Sequence, residues 1–223
     1  MIGLVPAAGR LRVLCVAAHP DDVEIACGGT LLALAARGGV QVVVATLTGS
    51  PERQAEAEAA AQAFSPGATS RFWSLPDGRL PEHWGAVKGA LEDLAGELSP
   101  AGGVDLVLAP SPQDAHQDHR LVGELVPTVW RDALVLEYEI PKWDGDLRRV
   151  TTYVPVGRDD ARRKVELLSK HYPSQTARDW WDDETFLGLM RLRGMECRSS
   201  YAEGFTVRKQ RLDLAGTLIG TAS

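Results

Sequence analysis

The chain lacks most of what a disulfide scaffold, a membrane protein or a nucleic-acid binder would need. Its three cysteines, Cys15, Cys27 and Cys197, lie far apart without paired spacing. They fit a reduced, cytoplasmic protein and not a disulfide framework. It has no basic run: 24 Lys and Arg stand against 30 Asp and Glu, for a net charge of −6. Nothing there could neutralise a phosphate backbone, so nucleic acid is not an expected partner. The apolar start is interrupted by Arg10 and Arg12 and ended by His19-Pro20-Asp21-Asp22. It has neither a signal peptide's cleavage region nor a membrane span's length. No internal repeat, low-complexity tract or linker of useful length breaks the chain.

What is present suits a globular α/β protein. With 44% hydrophobic residues, the chain can bury one sizeable core, so residues 1–223 are expected to form a single domain. Val13 to Ala17 is a short continuous apolar run, as in a strand buried on both faces, and helical character follows from Thr30 to Arg37. The alternation repeats: an apolar run over 40–47, then an Ala- and Glu-rich helical stretch over 52–64. Further helices are predicted over 87–98 and 121–133, the latter disturbed at Pro127, with strands over 104–109 and 134–138. After Asp144 the pattern weakens into a strand over 151–154, helices over 160–169 and 184–193, and a strand over 201–207. Such alternation implies a Rossmann-like open sheet, mainly parallel, with helices on both faces.

In open α/β sheets, ligands gather where loops leave the carboxyl ends of the strands. Two of those loops hold most of the concentrated histidine and aspartate. After the first strand comes Ala18-His19-Pro20-Asp21-Asp22-Val23-Glu24, then Cys27-Gly28-Gly29-Thr30. After the 104–109 strand comes Ser111-Pro112-Gln113-Asp114-Ala115-His116-Gln117-Asp118-His119. Either cluster alone reads equally as a capped helix start. Both follow buried strands, so both project from one edge of one sheet. There they offer the imidazole nitrogens and carboxylate oxygens that a catalytic divalent ion wants, with a position left for water.

These two clusters resemble the signature motifs of the PIG-L/LmbE-like zinc deacetylases. Arg53-Gln54-Ala55-Glu56, Leu75-Pro76-Asp77-Gly78, Ser174-Gln175 and Tyr201-Ala202-Glu203-Gly204-Phe205 extend the similarity over nearly the whole chain. The resemblance implies an N-deacetylase acting on an N-acetylglucosamine-type sugar conjugate or a related small molecule. It also implies His19, Asp22 and His119 as ligands of Zn2+, and Asp21 as the general base. Two histidines and an aspartate also suit Fe2+ or another divalent ion. By the same resemblance His116 stabilises an oxyanion or protonates the leaving amine, Asp118 orients His116, and Arg53 and Asp77 contact substrate. Ala115 and Gln117 stand where many relatives carry arginine and proline, which predicts no basic substrate contact beside His116.

An amidase for a larger N-acyl or thiol conjugate would use the same residues. A nucleotide-binding oxidoreductase fits poorly, because no GxGxxG follows the first strand and the HPDD loop would repel a pyrophosphate. A non-catalytic metal-binding domain would have no use for Asp21. Cys27, His83 and His171 are not expected in the site. Trp180 and Trp181 are expected in core or interface packing, and together with Trp130 and Trp143 they suggest a homo-oligomer.

Overall fold

The computed structural model describes residues 9–211. In chain order these form β1 (Leu11–Ala17), α1 (Asp22–Arg37), β2 (Val40–Thr48), α2 (Pro51–Phe64) and β3 (Thr69–Leu75). A 3-10 turn (Leu80–His83) leads into α3 (Trp84–Leu98), followed by β4 (Leu106–Pro110), α4 (Gln117–Val129) and β5 (Leu134–Tyr138). The last third adds β6 (Thr152–Val156), α5 (Arg158–His171), α6 (Asp183–Cys197) and β7 (Tyr201–Thr206). The strands make one seven-stranded sheet in the order β3-β2-β1-β4-β5-β7-β6. The five strands β1 to β5 pair in parallel, and β7 runs antiparallel to both of its neighbours.

Side chains alternate across the central strands because successive Cβ atoms point to opposite faces. On β1, Val13, Cys15 and Ala17 enter a core built with α1, α2, α5 and α6, where Phe64, Leu168 and Phe186 are buried. Leu14 and Val16 point the other way, into a core built with α3 and α4, where Leu91, Leu94 and Val122 are buried. The sheet is thus covered on both faces, as the continuous apolar runs imply. Trp130 and Trp181 are themselves buried in these cores, the core packing expected of Trp181, so neither offers the apolar surface for an oligomer contact.

Two sequence expectations shift. α1 begins at Asp22 and not near Thr30, and a strand missed in the sequence, β3, occupies one edge of the sheet. No helix among the described residues is long and apolar enough to cross a membrane.

The strand order places the site. From β1 the chain winds outward to β2 and β3, then returns to lay β4 on the other side of β1. The crevice between two such neighbours opens at their carboxyl ends. The loop after β1 and the first turn of α1 carry the first cluster, and the loop after β4 and the first turn of α4 carry the second.

Candidate metal centre and active site

Two glycines seat the loops. At Gly49 φ is +116° and a Cβ would lie 2.6 Å from Pro20 Cγ, so the loop after β2 closes on the first cluster only with glycine there. At Gly123 a Cβ would lie 2.5 Å from Pro112 N, so α4 approaches the second loop at backbone distance. Asp21 takes φ 99°, ψ −24° at the N-cap of α1, a left-handed conformation unusual outside glycine. Backbone strain of that kind persists where surrounding structure enforces it, often at functional sites.

Three donor groups converge. His19 Nδ1 lies 3.1 Å from His119 Nε2. The Asp22 carboxylate completes the triangle, 3.5 Å from His19 Nδ1 and 3.3 Å from His119 Nε2. A tetrahedral ion with ligand bonds of about 2.0–2.1 Å needs donors about 3.3 Å apart, so these residues fit one. His116 joins His19 and His119 in a cluster whose ring nitrogens lie within 4.8 Å of one another.

The field at the site also suits a cation. Burial opposes charge on His19, yet Asp22, Asp118 and Asp77 overcome it and hold its pKa well above the usual value. His119 is raised in the same way, by Asp22 and Asp114 against burial. Burial would lift the Asp22 carboxyl, but His119 and His19 outweigh it and keep it well below the ordinary range. Asp21 goes the opposite way: burial pushes it up to about 7, although the Arg53 charge pulls down. Two adjacent aspartates therefore sit in opposite electrostatic settings.

Each histidine has a partner for its second nitrogen, which fixes ring and tautomer. His119 Nδ1 faces Asp114 at 3.0 Å. His19 Nε2 faces Asp118 at 3.2 Å and Asp77 at 3.0 Å. The fully buried Asp118 is itself held by Gly78 N–H at 2.7 Å and Leu80 N–H at 3.0 Å. Its carboxylate therefore serves His19, which differs from the expected contact with His116. The reason is local: at the start of α4 it is the Asp118 backbone N–H that donates to His116 Nδ1, at 3.2 Å, while its carboxylate turns toward the loop after β3. His116 is thereby left to carry its proton on Nε2, and burial with nearby cationic groups lowers its pKa, favouring the neutral ring.

These groups open on a pocket of about 350 Å3, lined by His19, Asp21, Asp22, Arg53, Asp77 and His116 among others. Arg53 points at Asp21 from α2, and Glu56 one turn later accepts from Ser174 N–H and Oγ at 2.9 and 2.6 Å. Glu203 of β7 reaches α1 through Gly29 and Thr30 N–H at 2.7 Å each and pairs with the buried Lys164 at 2.7 Å. The late motifs thus brace the first cluster from behind. A basic group does stand at the site: Lys142, after β5, lies 3.0 Å from His119 Nδ1. Sequence reasoning missed Asp114 and Lys142. Asp114 stood inside the second cluster and could have been found there; nothing local marks Lys142, which a loop 23 residues beyond His119 brings in.

The family model described as PIG-L: GlcNAc-PI de-N-acetylase matches residues 14–130. The uncharacterized deacetylase YaiS of Escherichia coli strain K12 is 29% identical over 172 residues, covering 73% of this chain and 91% of YaiS. Among solved structures, the N,N'-diacetylchitobiose deacetylase of Pyrococcus horikoshii superposes with TM-score 0.69 at 22% identity, covering 88% of this chain and 83% of its own. The 4-carboxy-2-hydroxymuconate hydratase GalB of Pseudomonas putida KT2440 does so with TM-score 0.68 at 19% identity, covering 91% and 98%.

Proposed function

Because the chain belongs to the PIG-L family of GlcNAc-PI de-N-acetylases, we propose that it hydrolyses the acetamide of an N-acetylglucosamine-type sugar conjugate, using one divalent ion, zinc in the first instance. The observation that carries this reading is the triangle of His19, Asp22 and His119 donors, 3.1 to 3.5 Å apart, with Asp21 beside it in the same pocket. Resemblance of fold alone would not choose the reaction, since the same architecture serves a hydratase.

The arrangement of the site supports the roles that the family resemblance implies. His19 Nδ1, His119 Nε2 and Asp22 hold the ion, with Asp114 and Asp118 orienting the two rings. When bound, the ion supplies a positive charge that polarises the amide carbonyl and acidifies water. Asp21 takes the proton of the attacking water, and its burial, acting against the pull of Arg53, makes the carboxylate a stronger base. Arg53 steadies the Asp21 carboxylate and faces the pocket, where it contacts substrate. His116, which lines the pocket as a neutral ring with its proton on Nε2, donates to the oxygen on which charge develops. Once Asp21 is protonated, it can return that proton to the departing amine, so one carboxylate serves both halves of the reaction. Asp77 at the rim contacts the sugar.

The experiment is acetate release by the metal-reconstituted protein from N-acetylglucosamine conjugates. Stoichiometric acetate that disappears on chelation and returns with the ion supports the reading. An absence of acetate from every conjugate at full metal content overturns it.

A further inference from the structure

Trp143 has no role in the chemistry, yet it is 65% exposed at the rim of the reaction pocket. It is not loose. It rides on the segment between β5 and β6, which is tied on either side of Trp143: Glu139 to Arg193 at 2.7 Å, and Asp146 to Ala115 N–H at 2.7 Å. Its indole N–H donates to Asp179 at 3.1 Å, so the ring is gripped by an edge while a face stays open. Trp180, which also lines the pocket, meets it edge-on at 6.1 Å and 75°. Behind Trp180 stands the buried Trp181 at 5.4 Å, itself packed on Phe186 at 5.3 Å. A continuous aromatic series therefore runs from the core to the pocket mouth and ends in an oriented, wet indole.

An exposed indole costs solvation unless something covers it. This ring lines a concave pocket, a setting that suits a small ligand. Its chain neighbour Lys142 lies 3.0 Å from His119 Nδ1, so the wall begins next to the reacting centre.

Resting on the deacetylase reading above, we infer that Trp143, backed by Trp180, is a stacking wall for a second ring attached to the acetamido sugar, so that the substrate has at least two rings. The chemistry recognised is a flat apolar ring face, which either the C–H face of a second sugar or an aromatic aglycone presents. Trp143 is in this account a specificity residue and takes no part in proton transfer.

The test uses the full-length, metal-loaded Asp21→Asn protein, whose turnover, about 100 to 10,000-fold slower, leaves most of the ligand intact during a titration. It is titrated calorimetrically with N-acetylglucosamine, N,N'-diacetylchitobiose and an aryl N-acetylglucosaminide. A two-ring ligand is expected to bind about tenfold more tightly than the single sugar. That preference vanishes when Trp143→Ala is added and survives in part with Trp143→Phe, which keeps a face to stack on. Preference for chitobiose identifies a second sugar; preference for the aryl glycoside alone identifies an aromatic aglycone. Equal affinities for all three ligands, or a preference that persists in Trp143→Ala, overturn the inference. Acetate release by the unmutated enzyme separates the two readings. Release with no two-ring preference sinks only the stacking wall, and no binding or release with any ligand sinks both.

Discussion

Arg53 Nη2 lies 2.8 Å from a carboxylate oxygen of Asp21, joining the first turn of α2 to the N-cap of α1 across the mouth of the pocket. The pair does two things. It stabilises the charged form of a carboxyl that burial pushes up to about 7, and it fixes which way that carboxylate faces. Replacing Arg53 with methionine removes the positive charge and keeps much of the bulk. The Asp21 pKa then rises, so the acid limb of the pH profile of kcat/KM moves to higher pH than in the unmutated enzyme. The ion's own charge moves both limbs downward together, so the comparison is between limbs. An unshifted limb would detach Arg53 from the base.

Asp114 holds His119 at 3.0 Å and is 4% exposed on its side chain. Partners of this kind orient a ligand imidazole, and losing one weakens metal affinity by about 10 to 100-fold. Asp114→Ala is expected to release the ion to a competing chelator by that factor while the far-ultraviolet circular dichroism stays unchanged. Undiminished affinity would mean the contact is incidental.

Glu24 makes a prediction for the metal-free protein. Tyr172 donates to it at 2.7 Å, but burial dominates and lifts its pKa to about 7. A carboxyl raised on folding favours the folded state most when protonated. Its contribution is complete below the ordinary carboxylate range and is lost as pH rises through about 7. The chelated protein should therefore unfold at progressively lower denaturant concentration between pH 5 and 8 (roughly the window set by that linkage), and Glu24→Gln should flatten the trend. A slope identical in the two proteins contradicts the assignment.

The buried Lys164–Glu203 pair, 3% and 2% exposed, supports α1 from the far side of the site. Removing one partner strands the other's charge, at a cost of about 3–5 kcal/mol. Glu203→Ala should lose stability in that range by urea titration, and metal affinity should fall with it because Gly29 and Thr30 lose their anchor.

The central fold was legible because β1, β2, β4 and β5 are short apolar runs that can only be buried. β3 was not: Thr69–Leu75 lies at the edge of the sheet, half-exposed, and its Thr, Ser and Arg positions break any apolar pattern. The start of α1 was hidden because its first two turns carry buried Asp22 and Glu24 and the helix-weakening Gly28 and Gly29, which erase the 3.6-residue rhythm. In the site, residue type was enough to single out the two histidine-aspartate clusters, and the structure brings all eight of the expected residues to one place. What the sequence could not show was pairing. Whether Asp118 serves His116 or His19 depends on how the loop after β3 folds over α4, and Lys142 and Trp143 arrive from a segment with no periodic signal.

The most direct test compares the two adjacent aspartates, Asp21→Asn and Asp22→Asn, by metal content and acetate release in the same preparations. Asparagine is nearly isosteric with aspartate but accepts no proton at neutral pH. The account predicts that Asp21→Asn keeps one ion per chain and turns over about 100 to 10,000-fold more slowly, whereas Asp22→Asn loses the ion. Asp21→Asn losing metal as readily as Asp22→Asn, or retaining near-normal turnover, would contradict it.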